Sequence, residues 1–273
     1  MDADNIKQIA KKWYKRIPFS IELEPEFDRI LNETDNLTNM SFNDYDIEAN
    51  KSEQEKNLIM FLYFCEEISE RYRSIGIAQD IFLDTIEDFV ISVQRCIDAT
   101  GKIGLQKTNW MSLHLSLKLF RLGRLQFCMS KAPVDIHQKG IKEGDAVLDI
   151  HVPAGEPLLI DECRRNIEYA KTFFAEYFPD FSYSYFTCFS WLLDDKLKQF
   201  LNENSNIIQF QKLFEPVYKR EEDSILHFMF KYGFTNRNEI QECTATSGFA
   251  QKVKEYALSD GVFYNVLGVR EKA

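Results

Sequence analysis

The stretch Gly144-Asp-Ala-Val-Leu-Asp-Ile-His-Val-Pro-Ala-Gly-Glu-Pro-Leu-Leu-Ile-Asp161 decides how this chain is read. From Ala146 to Val152 the side chains alternate, with Val147, Asp149 and His151 pointing one way and Leu148, Ile150 and Val152 the other. That period of two is the pattern of a β-strand. Pro153-Ala154-Gly155-Glu156-Pro157 then forms a loop, and Asp161 suits a helix N-cap. The helix predicted from Glu162 to Tyr177 places Ile167, Ala170, Phe174 and Phe178 on one face and stops at Pro179. A strand that feeds a glycine-containing loop opening a helix is a general device for holding anions, because the first helical N–H groups have no internal acceptor. Gly155 lets a ligand approach the backbone closely. Arg164 and Arg165, one turn into the helix, either add positive charge there or pair on the surface with Glu162 or Glu168.

Outward from this stretch, a second strand from Arg121 to Met129 precedes it, with Leu125 and Phe127 alternating against Arg124 and Gln126. The polar Lys131–Gly144 connection predicts that the two strands pair antiparallel. Downstream, an aromatic strand runs from Phe181 to Ser190, with helices from Leu193 to Leu201 and from Ser205-Asn206 to Phe214. A strand over Ser224–Lys231, a helix over Thr246–Leu258 and a strand over Val262–Val269 complete the chain. Upstream, the signals are helical. Ile6, Ile9, Ala10 and Trp13 are spaced for a helix that ends near Pro18, and Leu58, Phe61, Leu62, Cys65 and Ile68 mark another over Glu53–Ser74. Further helices are expected from Asp80 to Cys96, with Asp80 as cap, and from Trp110 to Phe120. The fold class is therefore α+β: a helical N-terminal domain, residues 1–120, followed by a domain of strands and helices, residues 121–273.

Composition narrows the function classes. The chain has 273 residues, 45% hydrophobic and 14% aromatic, as expected of a well-filled core. A formal charge of -10 argues against a nucleic-acid partner, which needs clustered Lys and Arg. The 6 cysteines (Cys65, Cys96, Cys128, Cys163, Cys188 and Cys243) form no C-x-x-C pair and read as reduced, packed thiols. The 4 histidines are dispersed, so no metal ligand set is visible. The start, Met-Asp-Ala-Asp-Asn, is not a signal peptide, and no apolar run reaches the length of a membrane span, so a cytoplasmic location is expected.

Four segments together resemble a known group: Arg121-Leu-Gly-Arg-Leu-Gln-Phe127, Gly144 through Gly155, Cys188-Phe-Ser-Trp-Leu-Leu-Asp194, and Ser205-Asn-Ile207 with Phe210. They resemble bacterial acyltransferases with a helical N-terminal domain and a GNAT-like C-terminal domain, over roughly Tyr72 to the end. The resemblance implies a GNAT-like mixed sheet, flanked by helices, whose two central strands splay to admit an acyl thioester. It also implies acetyl-CoA or another acyl-CoA as cosubstrate, and a small-molecule or protein amine as acceptor. On that mapping Val152, Ala154, Gly155, Arg164, Arg165 and Ser190 fall at the cofactor position. The usual GNAT phosphate loop has two spaced glycines, whereas this chain has Gly155 followed by Glu156.

Acyl transfer to an amine needs a proton acceptor, an acid for the leaving thiolate and donors for the oxyanion. His151 is the candidate base, and Asp149, two residues earlier on the same strand face, orients it or acts alone. A structural histidine bonded to the neighbouring loop is the alternative. Cys188 suggests a covalent route, against which its aromatic strand predicts an inert, packed thiol. Ser190 serves the thioester region or caps the next helix, and Ser205 is read as a cap. Arg121, Arg124 and Gln126 bind an acceptor or pair with the acidic N-terminal domain; His114 reads as a satisfied, semi-buried residue. The leading function is an acyl-CoA-dependent N-acyltransferase working by direct attack. A GNAT-shaped binding module without turnover, motivated by Glu156, and a dimerising scaffold are the alternatives.

Overall fold

The computed structural model describes residues 3–230 and 233–272 and divides into two compact units, Met1–Leu122 and Gly123–Ala273. In the first, helices α1 (Ala3–Tyr14), α2 (Glu24–Glu33), α3 (Gln54–Ser74), α4 (Gln79–Ile86), α5 (Asp88–Thr100) and α6 (Thr108–Met111) are followed by a short strand, β1 (Leu119–Leu122). Residues 57–62 of α3 are buried in an unbroken run, which marks it as the central helix with neighbours on every side. Phe61 and Phe64 meet Phe42 and Tyr45 edge-on, and Trp13 of α1 packs edge-on against Phe82 of α4. The Trp13 indole donates to Glu66 at 2.7 Å, so its polar edge is satisfied inside an apolar contact.

Three expectations for this unit need correction. The Asp80–Cys96 helix is two helices that part at Glu87, and Ala78, not Asp80, occupies the N-cap of α4. The Trp110–Phe120 helix stops early: α6 gives way to a 3-10 turn at Ser112–Leu115, and Leu117 at φ 57° turns the chain into β1. The Arg121–Met129 strand is interrupted at Gly123, whose φ of 82° ends β1, and a separate strand, β2 (Leu125–Lys131), starts two residues later.

The second unit contains β2 (Leu125–Lys131), β3 (Ala146–His151), α7 (Ile160–Tyr177), β4 (Tyr185–Ser190), α8 (Asn206–Gln211), β5 (Glu215–Glu221), α9 (Ser224–Met229), α10 (Gly248–Leu258) and β6 (Tyr264–Glu271). Its strands lie in the order β2-β3-β4-β6-β5. β2 and β3 are antiparallel, as expected, with Gln126 opposite His151 and Cys128 opposite Asp149. β3 and β4 are parallel and joined through α7, while β6 runs antiparallel to both β4 and β5. This is the mixed, helix-flanked sheet of an α+β fold.

The predicted strand over Ser224–Lys231 is instead helical as far as Met229, with Ile225 and Leu226 buried, and Lys231 lies outside the described residues. The strand partner of β6 is β5, whose Glu-Pro-Val-Tyr-Lys-Arg-Glu sequence is almost wholly exposed and so lacks the apolar alternation by which strands are found. The expected Leu193–Leu201 helix is a pair of 3-10 turns, Trp191–Leu193 and Asp195–Gln199. No described helix is long and apolar enough to cross a membrane.

Candidate active site

The decisive geometry is where β3 and β4 stop pairing. Each strand has six residues, yet they pair only at Leu148–Phe186 and Asp149–Thr187. Beyond Thr187, β4 continues to pair with β6 as far as Ser190, whereas Ile150 and His151 have no partner on β4. Two parallel strands that start in register and then part leave a wedge whose facing backbone groups seek another partner.

On one face of the sheet, at the base of this wedge, stands a polar cluster. Cross-strand partners share a face, so the register places Gln126 and Cys128 of β2, Asp149 and His151 of β3, and Thr187 of β4 together. Thr187 Oγ1 donates to Asp149 Oδ1 at 2.7 Å, and His151 Nε2 lies 3.2 Å from Asp149 Oδ2. Asp149 is thus held on both oxygens, and the imidazole is steered by a carboxylate. Thr187 is 1% exposed, while the side chains of His151 and Asp149 keep 28% and 19% exposure, so solvent reaches the ionisable pair and not the hydroxyl that supports it. Burial opposes charge on the His151 ring, but the Asp149 carboxylate, by charge and by hydrogen bond, with Cys128 adding to it, outweighs that cost and raises the pKa from 6.5 to about 10. Cys188 is 1% exposed, and burial, reinforced by Asp149, drives its thiol well above the usual range, so it is no nucleophile.

The second part of the site is the loop between β3 and α7. Val152 is half-buried, whereas Ala154 and Gly155 are exposed; Gly155 adopts φ 110°, and nothing lies within 4 Å of where its Cβ would be. A side chain is excluded there by the backbone angle and not by lack of room. Helix α7 begins at Ile160, and its N-cap, Leu159, provides no side-chain hydrogen bond; Asp161 falls within the first turn and is not the cap. Arg164 pairs with Asp161 at 3.2 Å, rather than with Glu162 or Glu168, and both Arg164 and Arg165 are exposed. Ser190 is the cap of the following 3-10 turn, accepting from the Leu192 N–H at 3.2 Å. Ser205 likewise caps α8.

Arg124 has a role that the sequence did not disclose. Its guanidinium, 4% exposed, donates from Nε and Nη2 to the carbonyl of Glu156 at 3.0 and 2.7 Å, and from Nε to that of Pro157 at 3.2 Å. Asn166 of α7 accepts from the Arg124 N–H at 2.8 Å and lies so near Gly123 that a Cβ there would sit 2.5 Å from its Nδ2. One buried cation therefore ties the loop to the start of β2, and with two carbonyls turned toward it, the Leu158 N–H is directed the other way. Arg121 does not join this clamp; it pairs with Glu87 at 2.6 Å within the helical unit. A cavity of about 710 Å³ also lies between the 193–212 connection and strands β5 and β6, and none of the polar cluster lines it.

Comparison with known proteins identifies the family and the fold. Residues 119–270 match the family described as a GNAT-like C-terminal domain, and residues 4–117 match the N-acyltransferase N-terminal domain. No curated protein matches the sequence. Among solved structures, the chain resembles an acyltransferase in complex with decanoyl-CoA at TM-score 0.72 and 21% identity, over 99% of both chains. An acyltransferase in complex with decanoyl-CoA and teicoplanin aligns at TM-score 0.71 and 24% identity, over 84% of this chain and 69% of that one. A third, an acyltransferase with CoA and 10C-teicoplanin, aligns at 0.71 and 19% over 100% of both. At these identities the likeness is one of fold.

Proposed function

The chain belongs to the acyltransferase family that joins an N-acyltransferase N-terminal domain to a GNAT-like C-terminal domain, and we propose that it moves an acyl group from an acyl-CoA to the nitrogen of a small amine. The observation that carries this reading is the parting of β3 and β4 with His151, Asp149 and Thr187 at its base. The acyl-CoA ligands of the similar structures support the choice of donor.

In this proposal the pantetheine arm lies in the wedge and takes the hydrogen bonds that β3 and β4 no longer give each other. The pyrophosphate meets the Val152–Gly155 loop and the uncapped start of α7, with Arg164 and Arg165 supplying positive charge. Ser190, which ends β4 as a cap, shapes the far wall of the wedge. The neutral amine attacks the thioester carbonyl, the C–N bond forms, and the C–S bond breaks to release the CoA thiolate. The proton leaving nitrogen goes to His151, whose Nε2 is held by Asp149, and from there to the thiolate. Because Asp149 raises the His151 pKa to about 10, only a small fraction of the ring is neutral at pH 7, and the rate should climb with pH through the neutral range. No enzyme nucleophile is needed.

A second reading, a binding module without turnover, is favoured by one feature: Glu156, Asp161 and Glu162 place acidic side chains around the proposed phosphate site. Calorimetry with acetyl-CoA and decanoyl-CoA, together with thiol release in the presence of amines, separates the two. Binding with amine-dependent thiol release supports the transferase; a full set of donors giving neither heat nor thiol would sink it.

A further inference from the structure

Gln126 is the one member of the polar cluster whose hydrogen-bonding capacity the fold leaves open. It is 1% exposed, and its Nε2 amide has no hydrogen-bond partner among the described residues. Its neighbours behave otherwise: Thr187 and His151 both engage Asp149. A buried donor left without an acceptor lowers stability, and a Leu or Met at the same place would pack without that cost. The amide there has a donor to offer to a molecule bound beside it.

The position says what the occupant is. Gln126 stands directly opposite His151 on the same face of the sheet, so their Cβ atoms are about 5 Å apart. It is one strand further from the wedge than His151. The thioester lies in the wedge, so the substituent of an amine that attacks it beside His151 can extend back over β2 towards Gln126.

We propose that Gln126 is an acceptor-recognition residue, whose Nε2 donates to an oxygen borne on the carbon next to the amine-bearing carbon, so that the protein selects β-hydroxy amines or α-amino carbonyl compounds over plain alkylamines. The proposal rests on the transferase reading above and adds the class of acceptor to it. A site that holds a substrate oxygen on a buried donor rejects the analogue lacking that oxygen, because the donor is then left unsatisfied.

The test compares ethanolamine with n-propylamine, which have nearly the same size and differ by hydroxyl against methyl, using decanoyl-CoA as donor and thiol release as readout. Expressed per neutral amine, because ethanolamine is the weaker base and more of it is deprotonated at a given pH, the wild-type kcat/KM should favour ethanolamine by about tenfold or more. In Gln126→Met that ratio should fall towards one, while the unfolding midpoint stays the same or rises, because an unsatisfied buried amide has been removed. Gln126→Glu, which removes the donor but keeps the shape, should lose the preference as well. A wild type that turns over both amines equally overturns the proposal and leaves the transferase reading standing. A Gln126→Met variant with a lowered midpoint overturns it too, by showing that the amide is structural. An equal loss of kcat for both amines would assign Gln126 to the oxyanion instead, and no thiol release with any amine would remove the transferase reading and this proposal together.

Discussion

Two histidine–aspartate pairs among the described residues have almost the same length and very different surroundings. In the helical unit His114 Nε2 lies 3.0 Å from Asp88 Oδ2, and the His114 side chain has 0% exposure. In the sheet unit His151 Nε2 lies 3.2 Å from Asp149 Oδ2, and the His151 side chain has 28%. Distance and residue type do not separate them; access does. His114 is enclosed by Phe89 and Trp110, whereas His151 stands at the end of β3, where no further strand residue covers it. The same pair is thus a packing element in one unit and a candidate proton acceptor in the other.

The sharpest way to break this comparison is to remove each histidine. His151→Ala should lower kcat/KM by about 10²–10⁴-fold, the usual contribution of a general base, and leave the fold intact. His114→Ala should do the reverse. It takes the imidazole away from a buried carboxylate, at a cost of about 3 kcal/mol in denaturant-measured stability, while kcat/KM per folded molecule stays near wild type. Equal loss of activity in both variants would erase the distinction.

A smaller effect is expected from Arg124→Ala, which releases the Glu156 and Pro157 carbonyls. The KM for acyl-CoA should rise about tenfold with kcat little changed, and added ethylguanidinium should restore part of it by filling the vacated site. A fall in kcat alone would argue that the clamp does not shape the donor loop.

The remaining effects are read against pH. Asp149→Asn removes the carboxylate charge that raises the His151 pKa, so the rising limb of kcat/KM should move to lower pH, towards the ordinary histidine value of 6.5. A limb that stays in place would exonerate the pair. For stability the sign follows from a pKa that is higher in the folded state. The His151–Asp149 attraction contributes fully below about pH 6.5 and is lost as pH rises through about 10. The wild type should therefore lose thermal stability over that window by slightly more than His151→Gln does.

Much of the sheet unit was legible because its signals are local. The Ala146–His151 alternation, the apolar face of the helix before Pro179 and the Ser190 and Ser205 caps all depend on residues within a turn or a strand of one another. Asp149 and His151 could be placed together for the same reason, being two apart on one strand. Thr187 could not be added to them, since it joins Asp149 from 38 residues away through a register that no local pattern encodes. β5 was missed because an exposed edge strand has no apolar face to declare. The Ser224 segment misled because its apolar residues fit both periods, and burial of Ile225 and Leu226 under a helical backbone chose between them.

What the residues determined by themselves was the division into helical and mixed parts, the strand–loop–helix at residues 146–161 and a histidine facing the same way as a carboxylate. These follow from periodicity and backbone chemistry, which act over a few residues. The tertiary structure alone decided that β3 and β4 part after two shared residue pairs, that Arg124 holds the loop, and that Gln126 stands opposite His151. Such contacts depend on which strands become neighbours and in what register, and that choice is made by burial of the whole core at once and not by any segment within it.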